Sequence, residues 1–328
     1  MSAIALVHLG RKLPEHLKYC IAQSRRWSPT IPIHLLCDRS VVRAANDSLR
    51  MHDIEVHDLQ AYRRTELWLE FKEIRDFYPK RRWWDPRRWD PRQISNPVPV
   101  EFWRYSTERL FALHAFLDEN SLTEVFHFEN DVLIFTDLQR LAPAVSRLYS
   151  HLAITPLSDT AVTTGMLYIK DPSSLEHLCS SILEQLVTGS TRQTVETYGG
   201  MVNDMTLMHD YRMRHGPENL GLLPILPRGP YSDGARDLGG IFDPASWGQY
   251  VDGTPTPHNQ PPGFTDREHF IGKELLGKRH EIIWRNTNGS HGEPFVVTDD
   301  TTTTKLMTLH VHSKRLERYA LVPRDGRS

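Results

Sequence analysis

Two short stretches of the chain combine side chains that can hold a cation. The first is His127-Phe-Glu129-Asn130-Asp131, followed at once by the apolar Val132-Leu-Ile-Phe135. Two carboxylates separated by one residue project from the same face of an extended backbone. Hard oxygen ligands of this kind suit Mg²⁺ or Mn²⁺ held jointly with a diphosphate. An ion so placed neutralises the negative charge that develops on a departing diphosphate. The plainer reading of the triplet is a polar turn between two strand pieces. The second stretch is Leu309-His310-Val311-His312-Ser313-Lys314. On a strand, His310 and His312 share one face, about 6.5–7 Å apart. An imidazole could complete a metal shell begun by Asp131, and Lys314 could meet a phosphate as a point charge. The plainer reading here is a half-exposed strand that happens to carry two histidines. Of the pair, His312 is the expected ligand, because it lies closer to Lys314.

Other chemistries lack their residues. No Gly-x-Gly-x-x-Gly fingerprint and no Gly-x-Ser-x-Gly elbow is present, which weakens dehydrogenase and α/β-hydrolase readings. Gly272 to Lys278 has the spacing of a phosphate-binding loop, but Arg279 stands where Ser or Thr would hold Mg²⁺, and no apolar strand leads into it. Cys179 has His177 two residues before it. On a helix such neighbours do not face each other, so this cysteine reads as core.

The elements that must position these residues follow a βαβ rhythm. Ile4-Ala-Leu-Val7 is a short continuous apolar run, as expected of a parallel strand covered on both faces. After Gly10, Leu17, Cys20 and Ile21 recur at helical spacing, and Ile33-His-Leu-Leu-Cys37 is a second run that closes on Asp38. Sheets of this kind bind ligands outside the carboxyl ends of their strands, where Gly10 and Asp38 sit. A helix is expected from about Ser106 to Asp118, with Ser106 or Thr107 as its N-cap and Leu110, Leu113 and Leu117 on its apolar face. Val125–Phe128 reads as a buried strand that resumes at Val132–Phe135, with a further strand at Met166–Ile169 and a helix from Pro172 to about Leu186. Thr308–His312 alternates like a strand. Residues 228–262 have the Gly, Pro and Asp content of a long ordered loop.

One segment departs from this rhythm. Residues 79–92 repeat Trp84-Asp-Pro-Arg87 as Trp89-Asp-Pro-Arg92, and two Asp-Pro steps should break any helix there. Lys80–Arg92 holds one Lys and five Arg against two Asp, a local charge of +4. It reads as an irregular insertion over about 76–97. Its indole and guanidinium groups would suit an anionic or sugar acceptor, or they pack as a stiff loop against the sheet.

The whole chain has 328 residues, with 39 Lys+Arg against 41 Asp+Glu, and a formal charge of −2. That balance is unlike a general nucleic-acid binder, so no nucleic-acid partner is expected. The N-terminus lacks a basic leader region, and no run reaches the ~18 apolar residues of a membrane span. Three widely spaced cysteines (Cys20, Cys37, Cys179) form no disulfide framework. The expectation is a cytoplasmic protein.

With these residues in place, the chain resembles glycosyltransferases of the GT-A fold, the nucleotide-diphospho-sugar transferases. More narrowly it resembles a group related to a rhamnosyltransferase domain of large algal viruses. The resemblance rests on Thr107-Glu-Arg-Leu-Phe111, His127–Ile134, Gly239-Gly-Ile-Phe-Asp243 with Gly248-Gln-Tyr250, and Leu309–Lys314. Thr163–Ile169 and Asn203–Leu207 stand in matching order. It implies an α/β fold with a mixed, mostly parallel, Rossmann-like sheet flanked by helices in a single domain. Residues 1–136 would be the nucleotide-binding half and 137–328 the acceptor half. It implies Mn²⁺ or Mg²⁺ held by Glu129 and Asp131, with His310 or His312 adding a ligand and Lys314 on the diphosphate. Val7, His8, Leu9, Gly10 and Asp38 would border the nucleotide, with Asn130 beside it and Arg109 beneath the phosphates. Thr164, Gly165 and Asp204 would line the donor sugar. Asp243, or else Asp204, would be the base that deprotonates an acceptor hydroxyl.

The expected activity is transfer of a hexose or deoxyhexose from a nucleoside diphosphate sugar, with uridine as the base the resemblance implies, to a glycan or other hydroxyl acceptor. Two rivals remain at this level. A sugar nucleotidyltransferase would usually carry a Gly-rich basic loop after the first strand, of which only Gly10-Arg11-Lys12 is present. A non-catalytic module could use the Trp/Arg stretch to grip an anionic glycan or nucleic acid.

Overall fold

A computed structural model describes residues 2–74, 100–188, 202–249, 251, 270–271, 280–285, 292–298 and 301–321. The Trp/Arg-rich segment and the Gly272–Lys278 match lie outside these residues, as does most of 250–269.

The strands at the centre of the main sheet form where the sequence is apolar at successive positions. Strands β1 (Ala3–His8), β2 (Ile33–Cys37) and β4 (Val125–Phe128) are buried along nearly their whole length. Their alternate residues feed two cores, one on each face. Ile4, Leu6, Ile33, Leu35, Phe126 and Phe128 pack on one side, and Ala3, Ala5, Val7, Leu36 and Val125 on the other. A strand covered on both sides needs apolar residues at every position, which is why these segments read as unbroken runs.

The main sheet has seven strands in the order β3-β2-β1-β4-β7-β6-β8, with β3 at Glu55–Asp58, β6 at Leu152–Ser158, β7 at Ala161–Ile169 and β8 at Leu220–Leu222. β1 runs parallel to β2 and to β4, β2 to β3, and β6 to β8, while β7 is antiparallel to both its neighbours. The expected fold class, a mixed and mostly parallel sheet flanked by helices, is therefore what the structure shows. Helices α1 (Leu17–Trp27) and α2 (Arg39–Leu49) contribute Leu17, Cys20, Ile21, Val41 and Ala45 to one core. Helices α3 (Glu66–Glu73), α4 (Val100–Glu119), α6 (Pro172–Thr188) and α7 (Asp204–His215) supply the other, and α5 (Leu138–Leu148) joins the first. Cys20, Cys37 and Cys179 are free and buried.

Three expectations shift. Helix α4 begins at Val100, so Ser106 and Thr107 lie inside it and their hydroxyls bond back to the Trp103 carbonyl instead of capping. Val132–Ile134 is not a continuation of β4. It is a separate strand, β5, paired antiparallel with β12 (Thr308–His310) in a two-stranded sheet of their own, while β9 (His280–Arg285), β10 (Glu293–Thr298) and β11 (Thr303–Lys305) form a third sheet. The Gly- and Asp-rich stretch after Arg228 is also more ordered than a loop, with a short helix Ala235–Leu238 and a bridge between Ile241 and Leu306. No helix among the described residues is long and apolar enough to cross a membrane.

Candidate functional site

Strand order decides where a ligand can enter. From β1 the chain moves outward through β2 and β3, then returns to the other side of β1 with β4. The crossovers thus diverge between β1 and β4, and the carboxyl ends of those strands open a crevice there. His8 ends β1, and the Glu129–Asp131 turn follows β4, closed by the Val132 N–H donating to the Glu129 carbonyl at 3.2 Å. The two rims touch where Asn130 Nδ2 lies 3.4 Å from His8 Nδ1. His8 Nε2 donates to the Lys12 carbonyl at 2.8 Å, which folds Leu9 and Gly10 over the end of β1. A Cβ at Gly10 would lie 3.1 Å from the His8 ring, so the turn has little room for a side chain.

The small β5–β12 sheet brings the distant histidine to the acidic turn. His310 pairs opposite Val132, and the Asp131 carbonyl accepts the Val311 N–H at 2.9 Å. His310 Nε2 then lies 3.0 Å from Asp131 Oδ2 and 3.5 Å from Glu129 Oε2. Glu129, Asp131 and His310 offer one ligand atom each, all within 4.8 Å of one another. Two carboxylates and an imidazole are a donor set that fits Mn²⁺ or Mg²⁺. Lys314 Nζ contacts Asp131 Oδ2 from the solvent side, and its backbone holds the left-handed conformation (φ 60°). A lysine in that region is uncommon, and such strain gathers at functional sites.

Beneath this group lies a buried polar network. Arg109 Nη2 donates to Glu129 Oε1 (2.9 Å), Thr164 Oγ1 (2.7 Å) and Asp204 Oδ2 (3.2 Å). Thr164 Oγ1 also reaches Glu129 Oε1 at 2.6 Å, and Ser106 Oγ donates to Asp204 Oδ1 at 2.9 Å. Burial resists ionisation of Glu129, but the Arg109 and His310 charges hold its carboxyl well below the usual carboxylate range. Asp204 is pushed up by burial, against the pull of Arg109. Burial also works against the Arg109 charge, yet Glu129 and Asp204 raise its pKa overall. One guanidinium thereby orients the inner oxygen of Glu129 and leaves Oε2 toward His310.

Asp243 does something other than the expected base chemistry. Its Oδ1 accepts the N–H groups of Ser246 and Trp247, both at 2.7 Å, and its Oδ2 accepts those of Gly248 (2.8 Å) and His310 (2.7 Å). It is 1% exposed. Four backbone donors converge on this carboxylate in the interior, which ties it to holding the 243–248 loop against His310. Asp204 is also buried, its Oδ1 accepting from Ser106 and its Oδ2 from Arg109 and Thr164. The expected role of His312 also changes. Its ring stacks on His310, with centroids 4.5 Å apart, and its Nε2 donates to the Ala245 carbonyl at 2.7 Å. His310 is the histidine that faces the carboxylates.

The remaining expected residues are placed separately. Val7 is buried in the core, and Leu9 and Gly10 sit at the end of β1. Asp38, at the end of β2, is paired with Arg63 Nη2 at 2.7 Å. Thr164 is 1% exposed and belongs to the Arg109 network, while a Cβ on Gly165 would lie 3.1 Å from His310 Nδ1. His127 is structural: its Nδ1 donates to the Ala5 carbonyl at 2.8 Å inside the sheet. The sequence offers Ser106 only as a cap and Gly248 only as part of the resemblance, whereas Ser106 bonds Asp204 and a Cβ on Gly248 would meet the His310 carbonyl oxygen. Nor does it single out His16 before α1, where burial, Lys314 and His8 bring the imidazole pKa down to about 4.

No protein-family model matches the sequence, and no curated protein matches it. Among solved structures the chain is similar to mouse xyloside xylosyltransferase 1, with 12% identity and a TM-score of 0.46 over 68% of this chain and 86% of that one. It is similar to the glycosyltransferase PaToxG, with 10% identity and a TM-score of 0.38 over 64% of this chain and 69% of that one. It is also similar to the galactosyltransferase LgtC solved with donor and acceptor sugar analogs, with 13% identity and a TM-score of 0.38 over 68% and 73%. At such identities and scores the likeness is one of outline only.

Proposed function

We propose that this chain is a metal-dependent glycosyltransferase of the GT-A type, which moves a sugar from a nucleoside diphosphate sugar to a hydroxyl acceptor. The observation that carries the reading is the convergence of Glu129, Asp131 and His310 beside the β1–β4 crevice. Glu129 Oε2, an Asp131 carboxylate oxygen and His310 Nε2 would hold Mn²⁺ or Mg²⁺. When bound, that ion supplies charge neutralisation for the departing diphosphate. Lys314, half-exposed on Asp131, stands where it can exchange that carboxylate for a diphosphate oxygen. Arg109 acts through Glu129 and Asp204, holding both in place as the ion and donor arrive.

His8, Leu9, Gly10, Asn130 and Asp38 would border the nucleotide, with uridine as the base implied by the family resemblance. A deoxyhexose such as rhamnose is the sugar suggested by the narrower resemblance. Residues 1–136 would form the nucleotide-binding half and 137–328 the acceptor half, and the Trp/Arg stretch would be an acceptor platform. The reading is tested by thermal denaturation against a panel of uridine, guanosine and thymidine diphosphate sugars, each with and without Mn²⁺. A ligand at about 100 times its Kd stabilises a fold by ~2.7 kcal/mol, a readily measured shift. One nucleotide series should stabilise the chain and need the ion to do so. No stabilisation by any member of the panel would contradict the proposal.

A further inference from the structure

Away from the crevice, two imidazoles and a carboxylate meet across β2 and β3. His34 pairs opposite Glu55 and Leu36 opposite His57, so His34, Glu55 and His57 share one face of the parallel strands. His34 Nδ1 lies 3.1 Å from His57 Nε2 and 3.5 Å from Glu55 Oε2, and His57 Nε2 lies 3.8 Å from the same oxygen. A simple histidine–histidine hydrogen bond accounts for the first distance and leaves the convergence of the carboxylate unexplained. Tetrahedral Zn²⁺ with nitrogen and oxygen ligands near 2.0–2.1 Å has ligand-to-ligand edges of about 3.4 Å. The three observed distances bracket that edge.

The surroundings are those of a metal site. Phe116 walls one side, its ring centroid 5.3 Å from that of His34 and 4.7 Å from that of His57. The Tyr62 hydroxyl lies 3.3 Å from His57 Nδ1, so it can accept that N–H and leave Nε2 as the ligand atom. Metal-bound histidines commonly have their second nitrogen held in this way. His34 is buried, while the Glu55 side chain is 66% exposed and leaves the ion's remaining position to water.

We propose that His34, Glu55 and His57 bind a divalent transition-metal ion, Zn²⁺ foremost, which fastens the edge strand β3 to β2. His34 and Glu55 stand near the amino ends of β2 and β3, with His57 two residues further along β3, and none of the three belongs to the Glu129–Asp131–His310 group. The test uses the full chain without a histidine tag, in the Asp131→Asn background that disables the crevice site. Zinc content after gel filtration and melting temperature with added Zn²⁺ are measured. One zinc per chain and a zinc-dependent rise in melting temperature are expected, both lost when Glu55→Gln or His57→Asn is added. Glu55 is exposed, so its variant should fold, and circular dichroism without metal would check this. An Asp131→Asn chain that binds no zinc overturns the proposal, as does zinc binding undiminished by Glu55→Gln.

Discussion

Asp131 and Asp243 are both buried aspartates within reach of His310, and their partners separate their roles. Asp131 meets an imidazole and an ammonium through its side chain, whereas Asp243 meets only backbone N–H groups. The first is placed as a cation ligand would be, and the second caps a backbone turn. His310 and His312 divide in the same way, since His310 faces two carboxylates and His312 a backbone carbonyl. His310→Ala should therefore raise the Mn²⁺ concentration needed for half-maximal activity by roughly 10–100-fold. His312→Ala should raise it far less, because that ring stacks on His310 and bonds to the Ala245 carbonyl instead of meeting the carboxylates. A metal titration of both variants checks this, and equal effects would remove the distinction between the rings.

At the scale of elements, the 243–248 loop is what keeps His310 in register. Asp243→Asn puts an amide N–H₂ against at least one backbone N–H that a carboxylate oxygen now accepts. Leaving one or two buried donors unpaired costs roughly 2–4 kcal/mol. Gly248→Ala should cost about 1–3 kcal/mol by overpacking, because its Cβ would meet the His310 carbonyl. Urea denaturation measures both, and a Gly248→Ala chain of unchanged stability would show that the loop can yield. This buttress also marks the limit of what the sequence discloses. The strands Ile4–Val7 and Ile33–Cys37, the acidic turn and the Thr308–His310 strand are legible, because apolar runs and carboxylate spacing are local signals. The β5–β12 pairing is not, since it joins residues almost 180 positions apart and no local pattern encodes such a partner. The setting of Asp243 is illegible for the same reason, because it is made by four donors from two separate segments. His312 was preferred over His310 on distance along the chain, whereas the strand ends at His310 and the backbone turns after it.

Across the whole molecule, buried histidines set the response to acid. Burial brings His127 down to about 3 and His16 to about 4, and it also lowers His8, His34, His57 and His114. A histidine whose folded pKa lies below its unfolded value of about 6.5 takes up its proton more readily when the chain unfolds. Stability is then full above about pH 6.5 and falls as the pH drops toward the folded pKa. The slope is at most about 1.4 kcal/mol per pH unit for each such group. The melting temperature should thus decline steadily from pH 7 to pH 4.5, and His127→Asn, which keeps an N–H for the Ala5 carbonyl, should make that decline shallower. A melting temperature that is level over this range would contradict the assignment of neutral, buried histidines.

Whether the carboxylates after β4 hold an ion on which sugar transfer depends can be read from release of nucleoside diphosphate from the sugar nucleotide that stabilises the chain, with Mn²⁺ and with a chelator, in the natural chain and in Asp131→Asn. The account predicts release that requires the ion and falls by on the order of 100-fold in Asp131→Asn, while the far-ultraviolet circular dichroism is unchanged. Release that persists in chelator, or that proceeds at the natural rate in Asp131→Asn, would contradict it.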